Sequence, residues 1–129
     1  MVGVEEWRTK VGVVVPCYNA GWRLRPVLER LLQLVNHVMV VDDGSTDGAP
    51  ASLKDLPIQV ITFPRNRGKG HALLAGFRAA LDIPELTCAA VVDADGQHEP
   101  AEIPRLYEVF MREQADLVIG SRAFDRQRV

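Results

Sequence analysis

Short apolar runs rich in β-branched residues recur along the chain and alternate with segments that have helical spacing. The five runs are residues 11–15, 38–42, 59–63, 89–93 and 116–120. The first, second and fourth are apolar nearly throughout, which is typical of parallel strands that are covered on both faces. The pattern therefore predicts a sheet buried between layers of helices.

Apolar residues spaced three and four apart predict three helices between these strands. The three stripes are Leu24, Val27, Leu28, Leu31 and Val35; Leu73, Leu74, Phe77, Ala80 and Leu81; and Ile103, Leu106, Tyr107, Phe110 and Met111. We expect each stripe to face the core. Residues 44–57 are instead rich in Gly, Pro, Ser and Asp, which predicts a loop with at most one helical turn.

The alternation of strands and helices predicts an α/β fold, an open, doubly wound, mostly parallel sheet with flanking helices. A length of 129 residues with 47% hydrophobic and 25% charged residues fits one compact domain and excludes a disordered chain. The net charge of −2 lacks the basic footprint of a nucleic-acid-binding protein. No apolar run approaches the roughly 20 residues of a spanning helix, and residues 1–10 do not resemble a signal peptide. We expect a soluble, cytoplasmic protein.

Two cysteines, Cys17 and Cys88, are too few for a disulfide framework or a zinc ribbon. We expect both to be small residues at the edge of the core. The three histidines show no metal-ligand spacing.

Polar residues follow every predicted strand, and parallel sheets bind ligands beyond the carboxyl ends of their strands. Asp93 and Asp95 lie two apart, so an extended backbone points both side chains the same way. Mg²⁺ takes one or two such carboxylates together with substrate phosphates, and the amide oxygen of Gln97 would add a third protein ligand. A capped turn without any ligand explains the same residues, and the motif alone leaves both interpretations open.

Two further strand ends carry candidate ligand-binding residues. Asp42 and Asp43 follow the second strand, where a carboxylate would accept hydrogen bonds from a base or ribose, or would simply form a turn. Residues 66–70, Asn-Arg-Gly-Lys-Gly, open the second predicted helix, whose N-terminus would receive an anion. They match neither a P-loop nor a complete dinucleotide fingerprint.

Four motifs together resemble the nucleotide-binding half of a family 2 glycosyltransferase with the GT-A fold. They are Val-Val-Asp-Asp-Gly-Ser-Thr-Asp-Gly at 40–48, Asn-Arg-Gly-Lys-Gly at 66–70, Asp-Ala-Asp-Gly-Gln-His-Glu-Pro at 93–100 and Gly-Ser-Arg at 120–122. Within the family they are most similar to the dolichol-phosphate mannose synthase and polyprenyl-phosphate glycosyltransferase branch. The resemblance runs from about residue 11 to residue 122.

The resemblance implies inverting transfer of a sugar from a GDP- or UDP-sugar to a polyprenyl or dolichyl phosphate or a glycan acceptor. Asp93, Asp95 and Gln97 would hold Mg²⁺ or Mn²⁺, and Asp95 would act in catalysis through this metal; no general base is indicated. The implied nucleotide-sugar-binding residues are Pro16, Tyr18, Asn19, Asp42, Asp43, Lys69, Asp93, Ala94 and Arg122.

The chain departs from the family pattern at two points. Ala20 stands where members often carry Glu, and the chain stops at Val129, where members continue into the acceptor-binding part. We expect an extension at 1–10, a nucleotide-sugar-binding domain at 11–122 that is incomplete at its C-terminus, and a tail at 123–129. A truncated nucleotide-binding domain without transferase activity is therefore the alternative. A nucleotidyltransferase is disfavoured because the first strand end lacks a phosphate-cradling glycine run.

A lipid acceptor implies peripheral association with the cytoplasmic membrane surface, whereas the sugar, the base and the oligomeric state are not indicated.

Overall fold

The computed structural model describes residues 6–96 and 99–113 and confirms the predicted α/β class. Its strands are β1 (Val11–Cys17), β2 (His37–Asp42), β3 (Gln59–Thr62) and β4 (Cys88–Val91). Its α-helices are α1 (Trp7–Lys10), α2 (Leu24–Leu32), α3 (Lys69–Leu81) and α4 (Ile103–Glu113). Short 3-10 helices lie at Gly21–Arg23, Pro50–Leu53 and Pro100–Glu102. The predicted loop over 44–57 thus contains one helical turn, whereas the fifth predicted strand lies outside the described residues.

The four described strands form one parallel sheet in the order β3-β2-β1-β4. Val13 in β1 pairs with Val38 in β2 on one side and with Ala90 in β4 on the other. The chain moves outward from β1 through β2 to β3 and then returns to add β4 on the opposite side of β1. The order therefore reverses between β1 and β4, which is the position where open α/β sheets bind their ligands.

Successive strand residues point to opposite faces of the sheet, so each face has its own set of apolar side chains. Helices cover both faces. Val11, Val13 and Val15 belong to a buried cluster shared with α2 and α4. Val14 belongs instead to a second cluster with β2 and α3. All five residues of the first predicted stripe, from Leu24 to Val35, are buried, although α2 itself ends at Leu32. Cys17 is buried and Cys88 half-buried at the core, and both are free thiols, as expected.

The stripe predicted to bury α3 was wrong in part. Of its five residues, Leu74, Phe77 and Leu81 are exposed, Leu73 is half-buried and Ala80 is buried. The buried face of α3 consists of Ala72, Gly76 and Ala80. The cause is a close approach to β1, since a Cβ at Gly76 would lie 2.3 Å from Cγ1 of Val14. Small residues four apart bring the helix against the sheet, and the larger apolar side chains are left outside.

The segment before β1 is joined to two other parts of the domain. The carbonyl of Arg8 accepts a hydrogen bond from the N–H of Asn36 (2.9 Å), and the Tyr107 hydroxyl donates to Glu6 (2.6 Å). Burial, together with the carboxylate of Glu6, raises the pKa of Tyr107. Within the described ranges, none of the helices has the length and apolar character needed to cross a bilayer.

Candidate functional site

A cleft of about 520 Å³ opens at the carboxyl ends of the strands, where the strand order reverses. Segments that follow all four described strands contribute to it. Its lining consists of Pro16, Cys17, Tyr18, Asn19, Ala20, Arg23, Asp43, Asn66, Gly68, Lys69, Ala72, Asp93, Ala94 and Asp95. The described strand ends thus bring carboxylates, two amide side chains and cations to one crevice.

The loop after β1 is held in place by the loop after β2. Asn19 has a left-handed backbone (φ 51°), a conformation that asparagine tolerates better than most residues. Its N–H donates to Ser45 Oγ (3.0 Å), and its Oδ1 accepts from the N–H of Thr46 (2.8 Å). The N–H of Gly21 donates to Asp47 (2.9 Å). These bonds fix the base of the loop, while the Tyr18 side chain remains 52% exposed at the rim of the cleft.

Asp43 organises the loop that precedes α3. Its carboxylate accepts hydrogen bonds from the N–H of Arg67 (2.7 Å), the N–H of Gly68 (3.0 Å) and the side-chain amide of Asn66 (3.1 Å). The side chain is buried, so these donors replace the water that the charge has lost. Asp43 therefore fixes the position from which Lys69 starts α3.

Asp42 and Gly44 form the turn on either side of Asp43. The Asp42 carboxylate is buried and accepts the N–H of Ser45 (2.8 Å). Gly44 has a left-handed backbone (φ 79°), and a Cβ there would lie 2.4 Å from the backbone of Arg65 and Asn66. Only glycine satisfies both conditions, so the loops after β2 and β3 approach each other at this residue.

A lysine and two carboxylates lie at the other side of the cleft. Nζ of Lys69 lies 2.9 Å from Oδ1 of Asp93, and these side chains are 60% and 31% exposed. Asp95, two residues further, is exposed and lines the same cleft. An anionic ligand and a cation would therefore meet groups of both signs here.

Asp93 and Asp95 carry donors of the kind that a divalent cation takes. Carboxylate oxygens are the donors that Mg²⁺ and Mn²⁺ take, and two of them leave positions for phosphate oxygens. Among the described residues, no group of three His, Cys, Asp or Glu side chains is placed to hold a metal ion. Gln97, the third predicted ligand, lies outside those residues.

Cys17 lies at the bottom of the cleft as a neutral thiol. Burial is the main cause that raises its pKa to about 12, and the nearby carboxylates of Asp42 and Asp47 raise it further. A thiol of this kind is a poor nucleophile and a poor metal ligand, because both roles need the thiolate.

The structure brings together most of the residues that the sequence singled out. Pro16, Tyr18, Asn19, Asp43, Lys69, Asp93, Ala94 and Asp95 line the cleft. The described residues that line it do not include Asp42, and Arg122 lies outside the described ranges. Cys17, Arg23 and Ala72 also line the cleft but were not among the predicted site residues. Cys17 is the last residue of β1, and Arg23 immediately precedes α2. Their positions at the end of a strand and the start of a helix could have indicated that Cys17 and Arg23 lie near the cleft.

Comparison with known proteins shows the family of the chain. The family model described as Glycosyl transferase family 2 matches residues 12–128. An undecaprenyl-phosphate mannosyltransferase of Micrococcus luteus is 38% identical over 120 residues, which cover 88% of this chain and 48% of that protein. A dolichol-phosphate mannosyltransferase of Pyrococcus furiosus is 35% identical over 121 residues, covering 88% and 33%. An undecaprenyl-phosphate 4-deoxy-4-formamido-L-arabinose transferase of Proteus mirabilis is 35% identical over 130 residues, covering 92% and 38%.

The match covers nearly all of the present chain but only a third to a half of these relatives. Their names are those of the polyprenyl-phosphate branch that the four motifs resemble. The parallel sheet with helices on both faces is consistent with the GT-A fold that the resemblance implied. The resemblance is therefore confirmed: the chain belongs to family 2 of the glycosyltransferases.

Proposed function

We propose that this chain is the donor-binding part of a glycosyltransferase that transfers a sugar from a nucleoside diphosphate to a polyprenyl phosphate. The observation that carries the proposal is the meeting of Lys69, Asp93 and Asp95 in one cleft at the reversal of the strand order. The names of the three relatives support the choice of a lipid phosphate as the acceptor. A lipid acceptor places the reaction at the cytoplasmic surface of a membrane.

The donor is proposed to lie across the cleft from the β1 loop to the segment after β4. Pro16, Tyr18 and Asn19 form the wall for the base and ribose, and the exposed Tyr18 ring offers a stacking surface. Asp42 and Asp43 shape this wall through the turn that they form, since their carboxylates accept backbone N–H groups. Arg122, outside the described residues, is proposed to reach the diphosphate.

The diphosphate is proposed to lie between Lys69 and the two carboxylates. Mg²⁺ or Mn²⁺ held by Asp93, Asp95 and Gln97 would neutralise charge on the leaving diphosphate when it is bound. Lys69 neutralises Asp93 in the present structure and is proposed to turn to a diphosphate oxygen once the donor is bound. Asp95 thus acts in catalysis through the metal.

The transfer step is proposed to invert the configuration of the sugar. An oxygen of the acceptor phosphate attacks the anomeric carbon, the bond from that carbon to the diphosphate oxygen breaks, and the nucleoside diphosphate leaves with the electron pair. A phosphate acceptor is ionised at neutral pH, so the step needs little help from a general base. A sugar hydroxyl as the acceptor would need one.

The alternative is a domain that binds the donor and transfers nothing by itself. It is favoured by one observation, that the chain spans only a third to a half of the relatives it matches. The two functions share the donor site and differ only in turnover.

Calorimetry with UDP- and GDP-sugars, with and without Mn²⁺, tests the donor site. We expect one of the nucleotides to bind more tightly with the metal; a folded sample that binds neither would reject the proposal. A transfer assay with undecaprenyl phosphate then separates the two functions, because product formed by the 129-residue chain excludes the purely binding domain.

A further inference from the structure

The loop after β1 contributes four residues to the lining of the cleft, namely Tyr18, Asn19, Ala20 and Arg23. Gly21 lies among them with a left-handed backbone (φ 62°), and its N–H donates to Oδ2 of Asp47 (2.9 Å). Asp47 belongs to the loop after β2, 26 residues further along the chain. The course of the β1 loop along the cleft therefore depends on a carboxylate from another loop.

The carboxylate of Asp47 is itself held in a fixed orientation. Its other oxygen, Oδ1, accepts the N–H of Ala49 (3.0 Å). Ala49 immediately precedes the 3-10 helix Pro50–Leu53, whose Leu53 is buried in the core cluster that β1 and α2 share. Each oxygen of Asp47 thus accepts one backbone N–H, and together they connect a helix anchored in the core to Gly21 in the β1 loop.

Asp47 influences the cleft without lining it. Its side chain is exposed, and it is not among the described residues that form the lining. Its negative charge nevertheless reaches the cleft: burial is the main cause that raises the pKa of Cys17, a lining residue, and the carboxylates of Asp42 and Asp47 raise it further. Because like charges repel, the charge of Asp47 by itself would weaken the binding of an anionic ligand. Any gain in affinity from Asp47 must therefore come from the loop that it holds.

We propose that Asp47 is a positioning residue for the donor, because it holds the loop after β1 in the conformation that receives the base and ribose. This inference rests on the proposed function, which places the nucleoside against that loop. A loop that is already ordered loses less conformational entropy when a ligand binds, so the hydrogen bond from Gly21 adds to donor affinity although Asp47 does not touch the donor. Without the carboxylate, water would satisfy both N–H groups, since both hydrogen bonds lie at the surface, and the ligand itself would have to order the loop.

Calorimetry on the 129-residue chain with Mn²⁺ compares UDP and GDP, which contain a base and ribose, with pyrophosphate, which contains neither. We expect Asp47→Ala to weaken binding of the nucleoside diphosphate that the unmodified chain binds by about tenfold, the contribution of a hydrogen bond to a charged group. Pyrophosphate should bind equally well or more tightly, because a negative charge near the cleft is removed. Asp47→Asn keeps one acceptor oxygen and should give an intermediate loss. Asp82→Ala removes an exposed carboxylate at the end of α3 and is the matched control.

The two kinds of ligand separate this inference from the other roles of Asp47 and from the proposed function. Equal weakening of nucleoside diphosphate and pyrophosphate would overturn the inference, because Asp47 would then support the cleft as a whole. Unchanged or tighter binding of the nucleoside diphosphate would also overturn it, because the order of the loop would then contribute nothing. If the unmodified chain binds neither UDP nor GDP, the proposed function itself fails. Urea denaturation shows whether each variant is folded, and Asp47→Asn carries the comparison if Asp47→Ala is not.

Discussion

The ammonium group of Lys69 lies 2.9 Å from a carboxylate oxygen of Asp93, and both residues line the cleft. The pair joins the first residue of α3 to the segment after β4. In the absence of a ligand, each group compensates the charge of the other. A metal ion and a diphosphate would exchange these partners, since the cation would take Asp93 and the phosphate would take Lys69.

Replacing Lys69 by Met should therefore change two affinities in opposite directions. Free Mn²⁺ should bind more tightly, because the ammonium group no longer competes for Asp93. The nucleotide sugar with Mn²⁺ should bind about tenfold more weakly, because a charge-assisted hydrogen bond to phosphate is lost. Calorimetry measures both, and the exposed Lys54→Met is the control. Equal losses for metal and nucleotide would show that Lys69 and the metal do not share Asp93.

Asp95→Asn should abolish the increase in nucleotide affinity that Mn²⁺ produces. Asp95 is exposed at the edge of the cleft, so the free energy of unfolding should change by less than about 0.5 kcal/mol. Nucleotide titrations with and without Mn²⁺, together with urea denaturation, check both expectations. Asp82→Asn, an exposed carboxylate at the end of α3, is the control. A large loss of stability without any change in metal dependence would identify Asp95 as a turn residue.

Asp43→Asn should destabilise the fold more than Asp42→Asn, although the two side chains are equally buried. Asp43 accepts hydrogen bonds from two backbone N–H groups, whereas one backbone N–H donates to Asp42. An amide at position 43 would place its NH₂ group against one of these partly buried backbone N–H groups, at a cost of about 1–3 kcal/mol. Urea denaturation of the two variants gives the comparison. Equal destabilisation would contradict the role given to Asp43.

The difference between Asp42 and Asp43 could not be read from the sequence. Both follow a buried strand, and the pattern predicts only that one carboxylate turns towards a ligand or forms a turn. Which one lines the cleft depends on the loop after β3, which lies 24 residues further and donates its N–H groups to Asp43. Long-range hydrogen bonds of this kind leave no periodic signal.

The packing of α3 could not be predicted from the sequence either, since Leu74, Phe77 and Leu81 are exposed. Leucine and phenylalanine at helical spacing predicted the buried face, but Gly76 against Val14 sets the helix so close to β1 that only small residues fit between them. In α2 the large residues do face the sheet, and the prediction held. The fold class, the positions of the four described strands and the cleft at the strand ends were predictable because each follows from local alternation and parallel topology.

Gly44→Ala should cost more stability than Gly48→Ala. Both glycines have left-handed backbones, φ 79° and 74°, so each substitution carries a strain of roughly 1–2 kcal/mol. A Cβ at Gly44 would also lie 2.4 Å from the backbone of Arg65 and Asn66, whereas nothing lies within 4 Å of one at Gly48. Gly44→Ala should therefore lose about 1–3 kcal/mol more, measured by urea denaturation. Similar losses would show that the two loops separate easily.

The Cys17 thiol should make the stability of the protein depend on pH in the alkaline range. Its pKa rises from 9.0 to about 12 on folding, mainly through burial, so the unfolded chain loses this proton at a lower pH than the folded chain. Its contribution to stability is therefore complete below pH 9 and declines as the pH rises towards 12. Denaturation in urea between pH 8 and pH 10 should give a steeper decline for the unmodified chain than for Cys17→Ala. That variant has no thiol to titrate at position 17, although its cavity lowers stability at every pH. Parallel curves for the two proteins would mean that the thiolate of Cys17 is tolerated in the folded chain, contrary to the burial and the nearby carboxylates that raise its pKa.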